Sequence, residues 1–159
     1  MRRSVSIFIA ALVFAAGCGG SSSSSPTGTN ITGGNGNSMS ATIDGKAWTA
    51  YAPSGVYKNN IVSLAGIDAG ITSSVGVVSG VTGPGTYSLG VGNQLAGSGI
   101  VTKGGQGWGS ALQGGSGSLV FTTLTATHVV GTFSFTAVAS SGGATGTVTV
   151  TNGKFDITF

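Results

Sequence analysis

The sequence predicts an all-β domain, an antiparallel β-sandwich or a small barrel of roughly eight to ten short strands. From Met39 onward, runs rich in Val, Ile, Thr and Phe alternate with Gly, Asn, Asp and Ser. No stretch spaces its apolar residues at three and four positions over two full turns, as an amphipathic helix would. The 31 glycines are distributed through the chain and indicate frequent turns.

The first two predicted strands form a hairpin in SMSATIDGKAWTA. Asp44 and Gly45 suit a tight turn, which places Ala41 opposite Trp48. We therefore expect Trp48 to pack in the core with its apolar neighbours. The face predicted to lie inward holds Met39, Ala41, Ile43, Trp48 and Ala50.

The segment TVTVTNGKFDITF predicts a second hairpin at the C-terminus. Asn152 and Gly153 both accept a positive φ, so they suit a two-residue turn that pairs Val150 with Phe155. The period-two pattern selects the same register as the turn. The face predicted to lie inward holds Val148, Val150, Phe155, Ile157 and Phe159.

Between the two hairpins the chain predicts one long strand and several weaker ones. The long strand is HVVGTFSFTAVA, in which Val129, Phe133 and Phe135 are predicted to face inward and His128 to face outward. The weaker strands are NIVSLAGI, SVGVVSG, GTYSLGV, GSGIVT, GWGSAL and SLVFTTL.

The N-terminal segment predicts export. Arg2 and Arg3 precede an uncharged and mostly apolar run, Val5–Ala16, which has signal-peptide length and is too short to span a membrane. We assign residues 1–17 to a signal peptide. Residues 18–38 contain Gly, Ser, Thr and Asn without charge, so they predict a flexible tether ahead of a domain at 39–159.

The junction Ala15, Ala16, Gly17, Cys18 resembles the lipobox of bacterial lipoproteins, with Ala15 where that family prefers Leu. The resemblance implies a diacylglyceryl group on the Cys18 thiol, cleavage after Gly17 and usually acylation of the new amino group. Two or more acyl chains form a lasting anchor. We expect a protein anchored by lipid to the outer membrane, on the periplasmic face or the cell surface. In the alternative, an ordinary signal peptidase cleaves after Gly17 and Cys18 remains a free thiol.

A second resemblance covers most of residues 40–159. The strand and turn signatures SATIDGKAWTA, GTYSLG and VTNGKFDITF resemble those of a group of small bacterial lipoproteins of unknown function. This resemblance implies a secreted β-sandwich on a lipid anchor, and it implies no catalytic residues.

Charge and composition argue against several classes of function. Without Arg2 and Arg3, the formal charge of +3 becomes +1, from four Lys and three Asp. No basic cluster is present to neutralise phosphates, so we expect no nucleic-acid partner. The single His and the scattered Asp residues predict neither a metal site nor a cofactor besides the lipid on Cys18.

Trp108 is the main candidate for ligand binding. It lies in the Gly- and Gln-rich segment KGGQGWG, where an exposed indole would stack on a sugar ring while amides bind hydroxyls. Tyr51 and Tyr57 are further candidates of the same kind. Alternatively, Trp108 has a structural role and caps an open end of the core. The same glycine-rich segment lacks the following helix of a phosphate-binding loop and is interpreted as a flexible turn.

These observations predict a lipid-anchored binding or structural module at the cell envelope rather than an enzyme. Its expected partners are the membrane, through the lipid, and a glycan or an envelope protein. A carbohydrate-binding module using Trp108 is the first alternative. A minimal hydrolase using His128 is the second, although no Gly-x-Ser-x-Gly elbow accompanies it, and a small outer-membrane barrel is the third.

Overall fold

The computed structural model describes residues 36–92 and 97–159; the predicted signal peptide, Cys18 and most of the predicted tether lie outside this part. The described residues form eleven strands and no helix, which confirms the all-β prediction. None of them forms a helix that could cross a membrane. The strands are β1 (Ser38–Ile43), β2 (Lys46–Thr49), β3 (Ser54–Lys58), β4 (Ile61–Ile67), β5 (Ser73–Gly80), β6 (Gly85–Ser88), β7 (Ser98–Lys103), β8 (Gln106–Gly109), β9 (Ser116–Leu124), β10 (His128–Ser141) and β11 (Thr147–Thr158).

The strands form one antiparallel sheet that curls into a half-barrel. Its main path runs β2-β1-β11-β10-β8-β7-β5-β4-β3, and β9 and β6 branch from β10. The branch is possible because β10 has 14 residues, so its first part pairs with β9 and its last part with β8.

The curl brings the two ends of the sheet face to face. A Cβ on Gly66 of β4 would meet Trp48 and Met39, which lie on β2 and β1. A Cβ on Gly55 of β3 would meet Ile157 of β11. Glycine at these positions therefore lets the ends of the sheet approach closely.

The core fills the inner face of the curl and is rich in aromatic side chains. The ring of Phe121 lies 5.7 Å from that of Phe155 and 5.6 Å from that of Tyr87, in edge-to-face geometry. Phe133 stacks on Phe155 at 6.3 Å. Because each buried Phe contributes about 1.5–3 kcal/mol, this cluster joins the branch strands firmly to the main path.

The N-terminal hairpin is confirmed in its register. Ala41 pairs with Trp48, and the turn residues Asp44 and Gly45 have φ values of 47° and 79°. Two successive positive φ values are typical of a type I′ turn, whose twist matches that of the two strands it joins. Trp48 is 7 % exposed and lies in the core, as predicted.

The predicted C-terminal hairpin is wrong, because β11 continues through Asn152 and Gly153 as one strand. Asn152 has a φ of 53° and forms a β-bulge: Phe133 pairs with Gly153 and Phe135 pairs with Val150, which leaves one extra residue on β11. One extra residue shifts the inward-facing positions from even to odd residue numbers, and a two-residue turn has the same effect. The predicted inward residues Val148, Val150, Phe155 and Ile157 are therefore buried even though the hairpin is absent.

The folded part begins before the predicted domain boundary at residue 39. The Asn37 side chain accepts a hydrogen bond from the Thr158 N–H at 2.8 Å and donates one to the Thr158 carbonyl at 3.2 Å. The amide thus extends the pairing of β1 with β11 by one position. Asn37 and Ser38, assigned to the tether by composition, belong to the folded part.

Candidate functional site

A cleft of about 410 Å³ lies at one end of the half-barrel, a volume typical of small-molecule sites. We call it the end cleft. It forms where the β4–β5 loop, the β7–β8 turn and the end of β10 meet. Its lining residues are Ile67, Ile71, Thr72, Ser73, Thr102, Gly104, Gly105, Gln106, Gly107 and Ser141.

Glycines shape one wall of the end cleft. Gly104 and Gly105 have φ values of 56° and 80° and make the tight turn from β7 to β8. The loop after β10 packs directly on this turn: a Cβ on Gly142 would collide with the Gly105 carbonyl, and one on Gly107 would collide with the Ser141 hydroxyl. The sequence KGGQG therefore provides both a turn and a packing surface.

Asp68 organises the opposite wall. Its carboxylate accepts hydrogen bonds from the N–H and the hydroxyl of Thr72, both at 2.7 Å. It also accepts the N–H of Ser73 at 3.2 Å and the Ser73 hydroxyl at 2.9 Å. These bonds, led by that of the Thr72 hydroxyl, outweigh desolvation and lower the pKa of Asp68 to about 2. Asp68 is thus ionised at neutral pH and holds both hydroxyls in place.

Ile71 lies at the rim of the end cleft in a strained conformation. Its φ is 54°, in the left-handed region that β-branched residues rarely occupy. Its side chain is 77 % exposed, the largest exposed fraction among the large exposed apolar residues of the described chain. A conformation of this kind costs about 1–3 kcal/mol and is enriched at functional sites. The loop therefore presents an aliphatic side chain to solvent beside the cleft.

Apolar and polar groups thus meet in the end cleft, and the Asp68 carboxylate lies behind its wall, outside the lining. None of the described residues that line it has an ionisable side chain. Ile67 and Ile71 supply the apolar part. Hydroxyl groups and the Gln106 amide supply hydrogen-bond donors and acceptors. The arrangement suits an uncharged ligand that carries polar groups.

Trp108 is buried, with 6 % of its surface exposed, so the structure does not present it as a stacking platform. It pairs with Val101 of β7 and with Ala139 of β10. Its indole Nε1–H donates to the Thr145 carbonyl at 3.2 Å. Trp108 is therefore part of the core, which agrees with the alternative in which it caps an open end of the core. Its side chain lies on the same face of the sheet as those of its partners Val101 and Ala139.

Tyr51 and Tyr57 lie apart from each other and outside the lining of the end cleft. Tyr51 is 55 % exposed, and its N–H donates to the carbonyl of Ile67, at the last residue of β4. Tyr57 pairs with Val62 near the start of β4, about 17 Å away along that strand. Its ring lies 6.1 Å from Phe159, so it also packs against the core. None of the three predicted binding residues lines the end cleft.

The side chains of His128 on β10 and Asp156 on β11 are hydrogen-bonded to each other. The distance from Nε2 to Oδ1 is 2.7 Å, and both side chains are on the outer face. In a Ser-His-Asp triad, Nε2 faces the serine and the aspartate holds Nδ1, so this arrangement differs from a triad. His128 also stands at the opposite end of β10 from Ser141, which lines the end cleft.

A second groove of about 330 Å³ lies on the outer face near this pair. Lys154 and Asp156 line it together with Thr122 and Thr132. The described residues contain no group of three or more His, Cys, Asp or Glu that could hold a metal ion.

The end cleft was missed by reasoning from the sequence, although its parts carried signals. KGGQG is recognisable as a turn, but nothing in the sequence places it beside residues 67–73. An aspartate followed four and five residues later by Thr72 and Ser73 can accept hydrogen bonds from their backbone N–H groups, as Asp68 does. That pattern predicts a closed loop, and the cleft follows only from its position beside the other two loops.

A family model described as a domain of unknown function (DUF6252) matches residues 35–156. The match covers all strands except the last residues of β11. No curated protein and no solved structure gave a significant match to the chain.

Proposed function

Because the chain belongs to the DUF6252 family of domains of unknown function, we propose its function from its own residues: a lipid-anchored module of the cell envelope that binds an uncharged ligand in the end cleft. The observation that carries the proposal is the end cleft itself. It has the volume of a small-molecule site, mixed polar and apolar walls and no ionisable lining residue among those described.

The proposed anchor depends on the N-terminal sequence. Cys18 follows Ala15, Ala16 and Gly17, which resembles a lipobox, and an uncharged stretch rich in Gly and Ser separates it from Gly36. A flexible chain of that length would have a root-mean-square reach of roughly 25 Å. Such a tether would hold the domain clear of the lipid headgroups.

Binding is favoured over catalysis by the chemistry of the end cleft. General acid–base chemistry requires a titratable group within hydrogen-bond reach of the substrate. The nearest carboxylate, Asp68, is ionised and already accepts four hydrogen bonds from Thr72 and Ser73. It is therefore a structural acceptor, and we propose no reaction at this site.

The anchor is tested by metabolic labelling with a radioactive fatty acid in a bacterial host. The wild-type chain should incorporate label and stay in the membrane pellet. Cys18→Ser should lose the label, and Ser21→Ala, three residues further on, serves as the matched control. Equal labelling of the wild type and Cys18→Ser would contradict the anchor.

Binding is tested by the thermal unfolding of the full-length protein in a sugar-free detergent. The panel comprises neutral oligosaccharides, neutral dipeptides, short fatty acids and inorganic phosphate. A ligand of the end cleft should raise the melting temperature of the wild type. The increase should shrink in Gln106→Ala and persist in Thr122→Ala, which alters the outer-face groove instead. If no neutral compound raises the melting temperature in this variant-dependent way, or if only a fatty acid or phosphate does, the proposal of an uncharged ligand is wrong.

A further inference from the structure

The geometry points to a sugar as the ligand: we infer that the end cleft binds one or two neutral hexose units of a glycan. This inference rests on the proposed function and specifies its ligand class. Three features of the cleft carry it: a wall of acceptor hydroxyls, an aliphatic side chain held at the rim and a balance of nearby charge.

The first feature is the pair of hydroxyls on Thr72 and Ser73. Each donates its own proton to Asp68, at 2.7 Å and 2.9 Å, so each has only acceptor lone pairs left for a ligand. Donation to an ionised carboxylate polarises a hydroxyl and strengthens the next hydrogen bond that it accepts. This wall therefore prefers a ligand with several O–H donors, as sugars have.

The opposite side of the end cleft can donate as well as accept. The Gln106 amide has two N–H donors and a carbonyl, and Ser141 has a rotatable hydroxyl. A sugar hydroxyl both donates and accepts, so it can bridge the two walls. A fatty acid would leave the polar groups of both walls unpaired, which is unfavourable by about 1–3 kcal/mol for each desolvated group.

The second feature is Ile71, held at a φ of 54° with its side chain exposed. Together with Ile67 it provides an apolar surface next to the hydroxyls. The face of a hexose that carries axial C–H groups packs on such a surface while the equatorial hydroxyls point toward hydrogen-bonding groups. Replacement of Ile71 by a polar residue would remove this contact without blocking the cleft.

The third feature is the charge around the end cleft. Asp68 lies behind Thr72 and Ser73, and Lys103 pairs directly with Ser73 and Gln106 in the sheet. The two charges have opposite signs, so neither an anion nor a cation is favoured overall. The acceptor wall also disfavours phosphate, which is itself an acceptor at neutral pH.

The test is titration calorimetry of the full-length protein in a detergent without a sugar headgroup. The probes are neutral trisaccharides of glucose, galactose, mannose and N-acetylglucosamine. The controls are a uronic-acid trisaccharide, a neutral tripeptide and inorganic phosphate. We expect at least one neutral trisaccharide to bind. Gln106→Ala and Ile71→Asn should each weaken that binding at least ten-fold, which is about 1.4 kcal/mol.

Ile71→Asn is informative because Asn tolerates a positive φ, so the variant should fold at least as stably as the wild type. Thr122→Ala is the matched control on the outer-face groove and should bind as the wild type does. If the tripeptide binds and the cleft variants weaken its binding, the sugar inference is wrong while the proposed binding of an uncharged ligand stands. If phosphate binds in the same variant-dependent way, both the sugar inference and the proposed uncharged ligand are wrong. If neutral sugars bind equally well to all variants, the site is wrong. If no probe binds, both proposals fail.

Discussion

At the scale of single residues, Tyr87 ties the loop before β6 to the core. Its O–H donates to the Gly83 carbonyl at 2.6 Å, and its oxygen accepts the N–H groups of Thr82 and Gly83 at 3.0 Å and 3.2 Å. Burial acts to raise the pKa of Tyr87, but the hydrogen bonds from Thr82 and Gly83 lower it overall. A tyrosine whose hydroxyl bonds back to the backbone four or five residues upstream in this way resembles the tyrosine corner of β-sandwich proteins.

Removal of the Tyr87 hydroxyl should destabilise the protein. Tyr87→Phe leaves the ring on Phe121 but leaves the Thr82 and Gly83 backbone groups without their partner. Because these hydrogen bonds are exposed or partly buried, we expect the free energy of unfolding to fall by about 0.5–1.5 kcal/mol in a urea titration. Tyr51→Phe, at an exposed tyrosine, should change it by less than about 0.5 kcal/mol. Equal effects of the two substitutions would show that the corner contributes nothing.

The two tryptophans should respond differently to loss of the indole N–H. The Nε1–H of Trp48 is buried without a hydrogen-bond partner among the described residues, whereas that of Trp108 donates to the Thr145 carbonyl. Both Trp→Phe changes remove similar apolar area. We expect Trp108→Phe to lower the free energy of unfolding by about 1–3 kcal/mol more than Trp48→Phe does, as measured by chemical denaturation. The reverse order would mean that packing outweighs the hydrogen bond.

The alternation of apolar and polar residues predicted correctly that Trp48 faces the core, but it could not decide which way Trp108 faces. Trp48 has apolar residues two positions away on its strand and across the turn, so its face was readable from the sequence. Trp108 stands between Gly107 and Gly109, which have no side chain to indicate a face. Its burial follows from the pairing of β8 with β7 and β10, which depends on residues far along the chain.

At the scale of elements, the bulge in β11 explains why a correct set of inward-facing residues led to the prediction of two strands where there is one. A two-residue turn and a one-residue bulge both reverse the alternation, and Asn-Gly suits both because Asn152 accepts a positive φ. Asp44 and Gly45, in contrast, are followed by a strand that pairs back on β1. The choice between the two outcomes depends on β10 and β1, which pair with β11 on both sides.

Gly153 should be less tolerant of substitution than a turn glycine. A Cβ there would collide with the Phe133 carbonyl and lie 2.5 Å from Cδ2 of its ring, so Gly153→Ala overpacks the strand. We expect a loss of about 1–3 kcal/mol in the free energy of unfolding. Asn152→Gly keeps the positive φ accessible and should lie within about 0.5 kcal/mol of the wild type. A Gly153→Ala variant as stable as the wild type would contradict the bulge packing.

The β4–β5 loop should make stability depend on acid pH through Asp68. Its folded pKa of about 2 lies below the ordinary value of 3.8, so its hydrogen bonds stabilise the fold above pH 3.8 and are lost as pH falls toward 2. We expect Asp68→Asn to be less stable than the wild type at pH 7, and the difference to shrink between pH 4 and pH 2. Urea titrations at several pH values measure it. A difference independent of pH would contradict the role of the carboxylate.

At the scale of the whole molecule, the sheet joins the two ends of the described chain. Met39 of β1 pairs with Phe155 of β11, and the Asn37 side chain bonds to Thr158. Local patterns predict individual strands and turns, whereas this strand order depends on contacts between distant segments. The end cleft has the same origin, because three loops from different parts of the sequence form it. Fold class was therefore predictable, and strand order and site were not.

This topology predicts that the domain cannot fold without its last residues. Because β11 lies between β10 and β1, a chain ending at Thr151 loses half of a central strand and the buried side chains of Phe155 and Ile157. Their burial alone contributes about 3–6 kcal/mol, against a typical total stability of about 5–15 kcal/mol. We expect this variant to lack a cooperative urea transition in tryptophan fluorescence. Removal of Phe159 alone, which packs at the edge of the core beside Tyr57, should leave a cooperative transition at lower urea concentration. A cooperative transition in the longer truncation would show that β10 and β1 can close the sheet without β11.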